Sequence, residues 1–257
     1  MKNITKNPTV DIIIPNYNKE IYLKECVNSV LNQTYNNWKL YIIDDCSTDK
    51  SLKYLKKIKN KKKIKIISLK KNKGPSYCRN LGIRKSKNNY LAFLDSDDLW
   101  DKNKLKLQLS FMIKNEYDLT YSDYYTFNDV DKKRKKMPTN LKNSFNFHEF
   151  IKNSSINSST LILKRNIIKG IMFKNLELLE DYIFKCEILK KNYIAKKIDK
   201  HLAFYRLNKF NRSKNKFLNL LFLWKVNKKF NKLNFLNNLI SVISISINSL
   251  KKYGFKK

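Results

Sequence analysis

The chain has 257 residues, 42% of them hydrophobic, with 55 Lys plus Arg against 21 Asp plus Glu and a formal net charge of +34. That apolar share sustains a core and excludes a disordered polycation. Four scattered cysteines with no C-x-x-C pair, and two histidines, argue against a zinc site or a disulfide framework.

Apolar runs alternate with segments of helical period over the first hundred residues. VDIII (10–14) predicts a buried strand, and Ile21, Leu23, Val27, Val30 and Leu31 recur at helical spacing up to a turn at 32–37. WKLYIID (38–44) predicts a second strand. Ser47 or Thr48 is placed to cap a helix over Leu52, Leu55 and Ile58. A third strand is expected over 64–69, a helical segment from Pro75 through Ile83, and a fourth strand in YLAFL. Strand and helix repeating in this way predict an α/β fold, with a mostly parallel central sheet flanked by helices.

Beyond Asp98 the alternation loosens. A helix is expected at 101–115, a strand in DLTYSDYY, a polar Lys-rich loop at 128–143 and a strand-like STLILK. A helix over ELLEDYIFKCEIL and strands near YIAKKI and LAFYR follow. From Ser213 the period is helical, with Leu218, Leu221, Phe222, Val226, Phe230 and Leu233 on one side and lysines mostly on the other. This predicts one folded unit over 1–212, divided near residue 100, and a basic amphipathic tail over 213–257. No apolar run approaches the roughly 20 residues that cross a bilayer. The N-terminus lacks the features of a signal peptide, so a cytoplasmic location is expected.

Ligands of open parallel sheets bind beyond the carboxyl ends of the strands. Two of the four predicted ends are carboxylate clusters, Asp44-Asp45 and Asp95-Ser96-Asp97-Asp98. Turn or cap chemistry explains one carboxylate at each end, but not three in four positions after Leu94. Clustered oxygens on a loop suit Mg²⁺ or Mn²⁺ shared with a substrate diphosphate. With four glycines in the chain and neither G-x-G-x-x-G nor G-x-x-x-x-G-K, dinucleotide oxidoreductases and P-loop enzymes are disfavoured.

VDIIIPNYNKEIYLKECVNSVLNQTYNNWKLYIIDDCSTDKS, NKGPSYCRNLGIRKSKNNYLAFLDSDDLW and LLEDYIFKCEIL stand in that order. In that order and spacing the sequence resembles the family 2 glycosyltransferases of the GT-A fold, over roughly residues 9–206. The resemblance implies an inverting transfer from a nucleotide-diphospho-sugar, a UDP-sugar first among them, to a glycan or lipid-linked acceptor in bacterial surface polysaccharide or capsule biosynthesis. It places Pro15 and Tyr17 against the nucleoside, Asp45 on the base edge and Arg79 by the phosphates. Asp95 and Asp97 become the D-x-D pair that binds a divalent metal, Mg²⁺ or Mn²⁺. Asp181 becomes the general base, with Asp44, Asp98, Glu180 and Arg206 in support.

Two departures are visible. Cys46 stands where relatives mostly carry glycine, which implies a differently shaped turn after Asp45. Asn208 stands where many carry histidine. His201 is expected to pack rather than react.

Two other readings compete, a basic nucleic-acid-binding protein and an inactive membrane-surface scaffold. No nucleic-acid recognition motif supports the first, so no specific nucleic-acid partner is expected. Retention of Asp45, Asp95, Asp97 and Asp181 together opposes the second. The lysines of the tail, set beside Leu220, Leu221, Leu223 and Trp224, imply peripheral attachment to an anionic inner leaflet or, equally, docking on the catalytic unit.

Overall fold

A computed structural model describes residues 7–129, 135–136, 142–207 and 216–253. Strands β1 (Val10–Asn16), β2 (Trp38–Asp44), β3 (Ile64–Ser68) and β4 (Tyr90–Phe93) lie parallel in the order β3-β2-β1-β4. Helices α1 (Glu20–Leu31), α2 (Ser51–Ile58) and α3 (Gly74–Lys85) connect them. Every residue of β1 is buried, as expected of a strand covered on both faces.

Alternation along β1 feeds two cores. Ile12 and Ile14 join Leu40, Ile42, Leu23 and Val27 on one face, while Ile13 joins Ile43, Phe93 and Ile83 on the other. Helix α3 approaches β1 so closely that a Cβ on Gly82 would stand 2.5 Å from Ile13 Cγ2. Gly82→Ala is therefore expected to cost about 1–3 kcal/mol, read as a lower urea midpoint at unchanged slope.

The second half of the sheet is mixed. After β5 (Leu99–Trp100) and α4 (Lys104–Lys114) come β6 (Leu119–Phe127), β7 (Lys135–Lys136), β8 (Ser144–Phe145) and α5 (Phe147–Phe150). A 3₁₀ turn at Ser158–Thr160 leads into β9 (Ile162–Lys164), which runs antiparallel between β4 and β6. Next are α6 (Glu180–Leu189) and β10 (Ala195–Arg206), parallel to β6. The two strands expected near YIAKKI and LAFYR are this one strand, interrupted by register shifts around His201. His201 packs there with its ring 4.7 Å from that of Tyr125, in keeping with a packing role.

Other expectations change at element ends. No side chain of Ser47 or Thr48 caps α2. Ser47 Oγ is committed to Asp44, and Asp49 Oδ1 accepts from the Ser51 amide at 2.9 Å instead. The helix expected over 177–189 begins only at Glu180, because Leu179 adopts a left-handed turn with φ 65°. Much of the Lys-rich loop at 128–143, Asn208 and the start of the tail at Ser213 lie outside the described residues.

The tail forms α7 (Lys216–Val226), a π turn (Asn227–Asn231) and α8 (Phe235–Tyr253). Leu223 and Val226 are buried in the core that holds α6, so docking of α7 is observed. Of the residues that the period puts on one side, Val226 is buried and Phe230 and Leu233 pack against this core, while Leu218 and Leu221 are 40% and 43% exposed. The seam between the helices is polar. Asn227, Asn231, Asn238 and Ser241 are buried in it.

Candidate active site

The carboxyl ends of β1, β2 and β4 meet at a cavity of about 880 Å³. Pro15, Tyr17, Asp45, Arg79, Asp95, Asp97, Glu180, Asp181 and Arg206 all line it, so residues from positions 15 to 206 converge on one wall system. Tyr17 is 45% exposed there, an open aromatic ring beside the strand end.

Asp44 and Asp45 divide their roles. Asp44 is buried and accepts from Asn16 Nδ2, Ser47 Oγ and the Ser47 amide at 2.7, 2.7 and 3.0 Å. It braces the turn and does not line the cavity. Asp45 lines it, with its two oxygens held by the Lys73 and Gly74 amides at 2.7 and 2.8 Å. Those amides open α3, so the carboxylate is fixed where a helix N-terminus favours an anion. Cys46, which follows Asp45, has φ 64°. This is the left-handed conformation that glycine adopts freely.

At the end of β4, repulsion among the acids is offset by cations. Arg79, buried on α3, donates to Asp95 Oδ1 at 2.6 Å and to Glu180 Oε1 at 3.3 Å. Although burial alone would lower it, the guanidinium pKa is raised by Asp95 and Glu180. Arg79 thus ties the D-x-D loop to the start of α6. Lys19 reaches Asp97 Oδ2 at 2.7 Å.

Asp98 turns inward, away from the cavity wall. Burial, then repulsion from Asp97 and Asp95, pushes its carboxyl well above the usual carboxylate range. Ser159 Oγ donates to it at 2.6 Å and the Arg206 amide at 3.1 Å. Its supporting role is to pin the loop to the 3₁₀ turn and β10. The Arg206 side chain is also buried, donating to the Asp97 carbonyl and pairing with Glu25 and Asp129. It clamps the loop through the Asp97 carbonyl.

Asp181 sits in the first turn of α6 just after the left-handed Leu179, which turns the chain so that Glu180 and Asp181 line the cavity. Ser158 Oγ and Lys185 Nζ donate to Asp181 Oδ2 at 3.2 and 2.7 Å. Its side chain is 37% exposed, whereas Lys185 is 3% exposed and also donates to the Ile156 carbonyl. Burial raises the Asp181 pKa, but Lys185, Arg79 and Ser158 together hold it below the ordinary value. The carboxylate is ionised and oriented, and Oδ1 has no partner among the described residues.

Three of these groups were missed from sequence. Lys185 was readable as the i+4 partner of Asp181. Lys19 and Ser158 carry no local signal, because chain topology alone brings them to the acids.

A divalent metal fits this donor set in one way only. Among the described residues no group of three or more His, Cys, Asp or Glu could hold a metal ion. Asp95 and Asp97 offer two carboxylates at a cavity, the arrangement suited to Mg²⁺ or Mn²⁺ that takes its remaining oxygens from water and a bound diphosphate.

A GT-A-type sheet, with acids at its strand ends and a carboxylate on the facing helix, defines a class of sugar transferases. The Glycosyl transferase family 2 model matches residues 11–183. An Escherichia coli protein, the UDP-Glc:alpha-D-GlcNAc-diphosphoundecaprenol beta-1,3-glucosyltransferase WfaP, is 34% identical over 251 residues, covering 96% of each chain. The chain therefore belongs to glycosyl transferase family 2 and is a glycosyltransferase.

Solved structures agree on the fold. TarS 1-349 of S. aureus in complex with UDP-GlcNAc superposes with a TM-score of 0.73 at 21% identity, over 96% of this chain and 73% of that one. Mannosyltransferase PcManGT of Pyrobaculum calidifontis, in complex with GDP-Man and Mn2+, gives 0.71 at 13% identity, over 96% and 74%.

Proposed function

We propose that the enzyme transfers a sugar, with inversion, from a UDP-sugar to a hydroxyl of a lipid-linked glycan during assembly of a bacterial surface polysaccharide. The observation that carries this reading is the convergence of Tyr17, Asp45, Asp95, Asp97 and Asp181 on one cavity. The printed activity of the WfaP relative supports the donor and acceptor classes. A lipid-linked acceptor puts the enzyme at a membrane surface.

Each residue then has a physical task. Tyr17 offers a face for the base to stack on, and Asp45, fixed by two amides, accepts from the base edge. Asp95 and Asp97 would hold Mg²⁺ or Mn²⁺. When bound, that metal supplies Lewis-acid stabilisation of the negative charge gathering on the diphosphate. Asp181 takes the proton of the acceptor hydroxyl through Oδ1 as the oxygen attacks the anomeric carbon. Attack opposite the leaving group inverts that centre in a single displacement.

Release of nucleoside diphosphate from a panel of nucleotide sugars, with and without acceptor, tests the reading. A UDP-sugar should give acceptor-dependent release; none from any donor would overturn it.

Lys185 has a predicted signature of its own. Because its charge lowers the Asp181 pKa against burial, the base stays ionised down to low pH. Lys185→Met removes that charge, so the acidic limb of kcat/KM should move to higher pH. An unmoved limb would show that Asp181 is not the titrating base or that Lys185 does not tune it.

A further inference from the structure

Helix α8 turns a mixed side inward. Val242 and Ile245 pack there against the core, beside Asn238 and Ser241, both buried. Asn227 Nδ2 donates to Asn238 Oδ1 and Ser241 Oγ at 3.1 and 2.9 Å, and Ser241 donates to the Ile151 carbonyl. Tyr182, beside Asp181 on α6, donates to Asn227 Oδ1 at 2.9 Å. A buried polar seam of this kind fixes the rotation of the helix, since turning it would strand each of these groups without a partner.

The opposite side is apolar and exposed. Phe235, Leu239, Ile243 and Ile247 follow one another at four-residue spacing, exposed by 72, 37, 50 and 46%. Leu236 and Ile240 widen the stripe at 62 and 36% exposed. From Phe235 to Ile247 it runs about 18 Å along the axis. Lys228, Lys229 and Lys232 at one end and Lys251 at the other are exposed. Between Lys214 and Lys257 the sequence holds ten lysines and no Asp or Glu. Among the described residues no helix is long and apolar enough to cross a membrane.

We propose that the outward stripe of α8 seats the enzyme in the interface of an anionic lipid bilayer, lying in its plane with the flanking lysines on lipid phosphates. Charge decides between a bilayer and a second copy of this chain. Two copies meeting through this face would bring together tails that are wholly cationic, whereas anionic headgroups neutralise them. This face differs from the one expected from sequence, because Leu223 is spent in the core. Seating also has a consequence for the site. Asn248 donates to the Lys152 carbonyl and Ser241 to that of Ile151. That segment continues directly into Ser154–Ser158, which lines the cavity. The surface thus rests on the membrane location proposed above and places one wall of the cavity next to the element that meets the lipid.

The test uses the full chain with vesicles of phosphatidylglycerol and phosphatidylcholine, or of phosphatidylcholine alone. Sedimentation should be strong with the first and weak with the second. Leu239→Asn with Ile243→Asn should lower partitioning at least about tenfold, and Lys228→Gln with Lys229→Gln and Lys232→Gln about a hundredfold. Trp224, whose ring lies 5.5 Å from that of Phe235, gives a second reading without any substitution, an emission blue shift on anionic vesicles only. Equal binding to both vesicles, no binding, or unchanged partitioning of the apolar double variant would overturn the proposal. So would a concentration-dependent dimer that the double variant abolishes, which would assign the stripe to a second copy. Nucleoside diphosphate release with a soluble acceptor is measured in parallel. If release persists while vesicle binding fails, only this surface falls; if release fails while vesicle binding persists, only the proposed reaction falls.

Discussion

Asp181→Asn should lower transfer by about 10²–10⁴-fold while leaving donor affinity within about twofold. The asparagine keeps the shape and the carbonyl oxygen that Ser158 Oγ faces, but it cannot accept the hydroxyl proton at neutral pH. The substitution also removes the charge from a contact with the nearly buried Lys185, so thermal unfolding must be recorded beside activity. Loss of stability alone lowers the active fraction equally for binding and turnover. Loss of the base lowers kcat and leaves donor binding, measured by calorimetry, in place. Near-normal turnover by this variant would remove Asp181 from the mechanism.

The second large effect is at the D-x-D pair. Asp97→Ala should remove the metal-dependent part of donor binding and lower kcat/KM by about 10²–10³-fold, the rate equivalent of several kcal/mol of Lewis-acid stabilisation. Chelation of divalent ions should reproduce that loss in the unaltered enzyme and add little to the variant. The reason is electrostatic. Lys19 pairs with Asp97, and Arg79 with Asp95, so the chain supplies some positive charge to this wall. A donor diphosphate adds at least as much negative charge as these two cations balance. With Asp97 gone, Lys19 remains as the nearer cation and sustains weak binding without metal. If Asp97→Ala and the parent enzyme lose the same activity on chelation, the metal is held elsewhere.

The strands of the first half were legible because β1, β2 and β4 are apolar runs bounded by polar turns, and each run ends in residues that line the cavity or brace its rim. Asp45 and Asp95 could be picked out because a chain so rich in lysine rarely groups its acids, whereas Asp181 was legible only through the family resemblance. What the sequence hid was pairing. Nothing local tells that Arg79 would pair with Glu180, 101 positions away, as well as with Asp95, or that Arg206 would clamp the D-x-D loop. β10 looked like two strands because the polar Asp199-Lys200-His201 stretch marks a bulge rather than a break. The tail misled for a different reason. Its helical period identifies apolar and basic faces but not which apolar face is inward, and here buried asparagine and serine share the inward side of α8 with Val242 and Ile245.

The most direct measurement is the anomeric configuration of the product together with nucleoside diphosphate release, followed by NMR with an α-linked UDP-sugar, a divalent metal and an acceptor bearing a free hydroxyl. A β-linked product formed in step with released UDP, and absent with Asp181→Asn, is the result expected of a single displacement with Asp181 as base. An α-linked product, or UDP release that Asp181→Asn leaves unchanged, would contradict it.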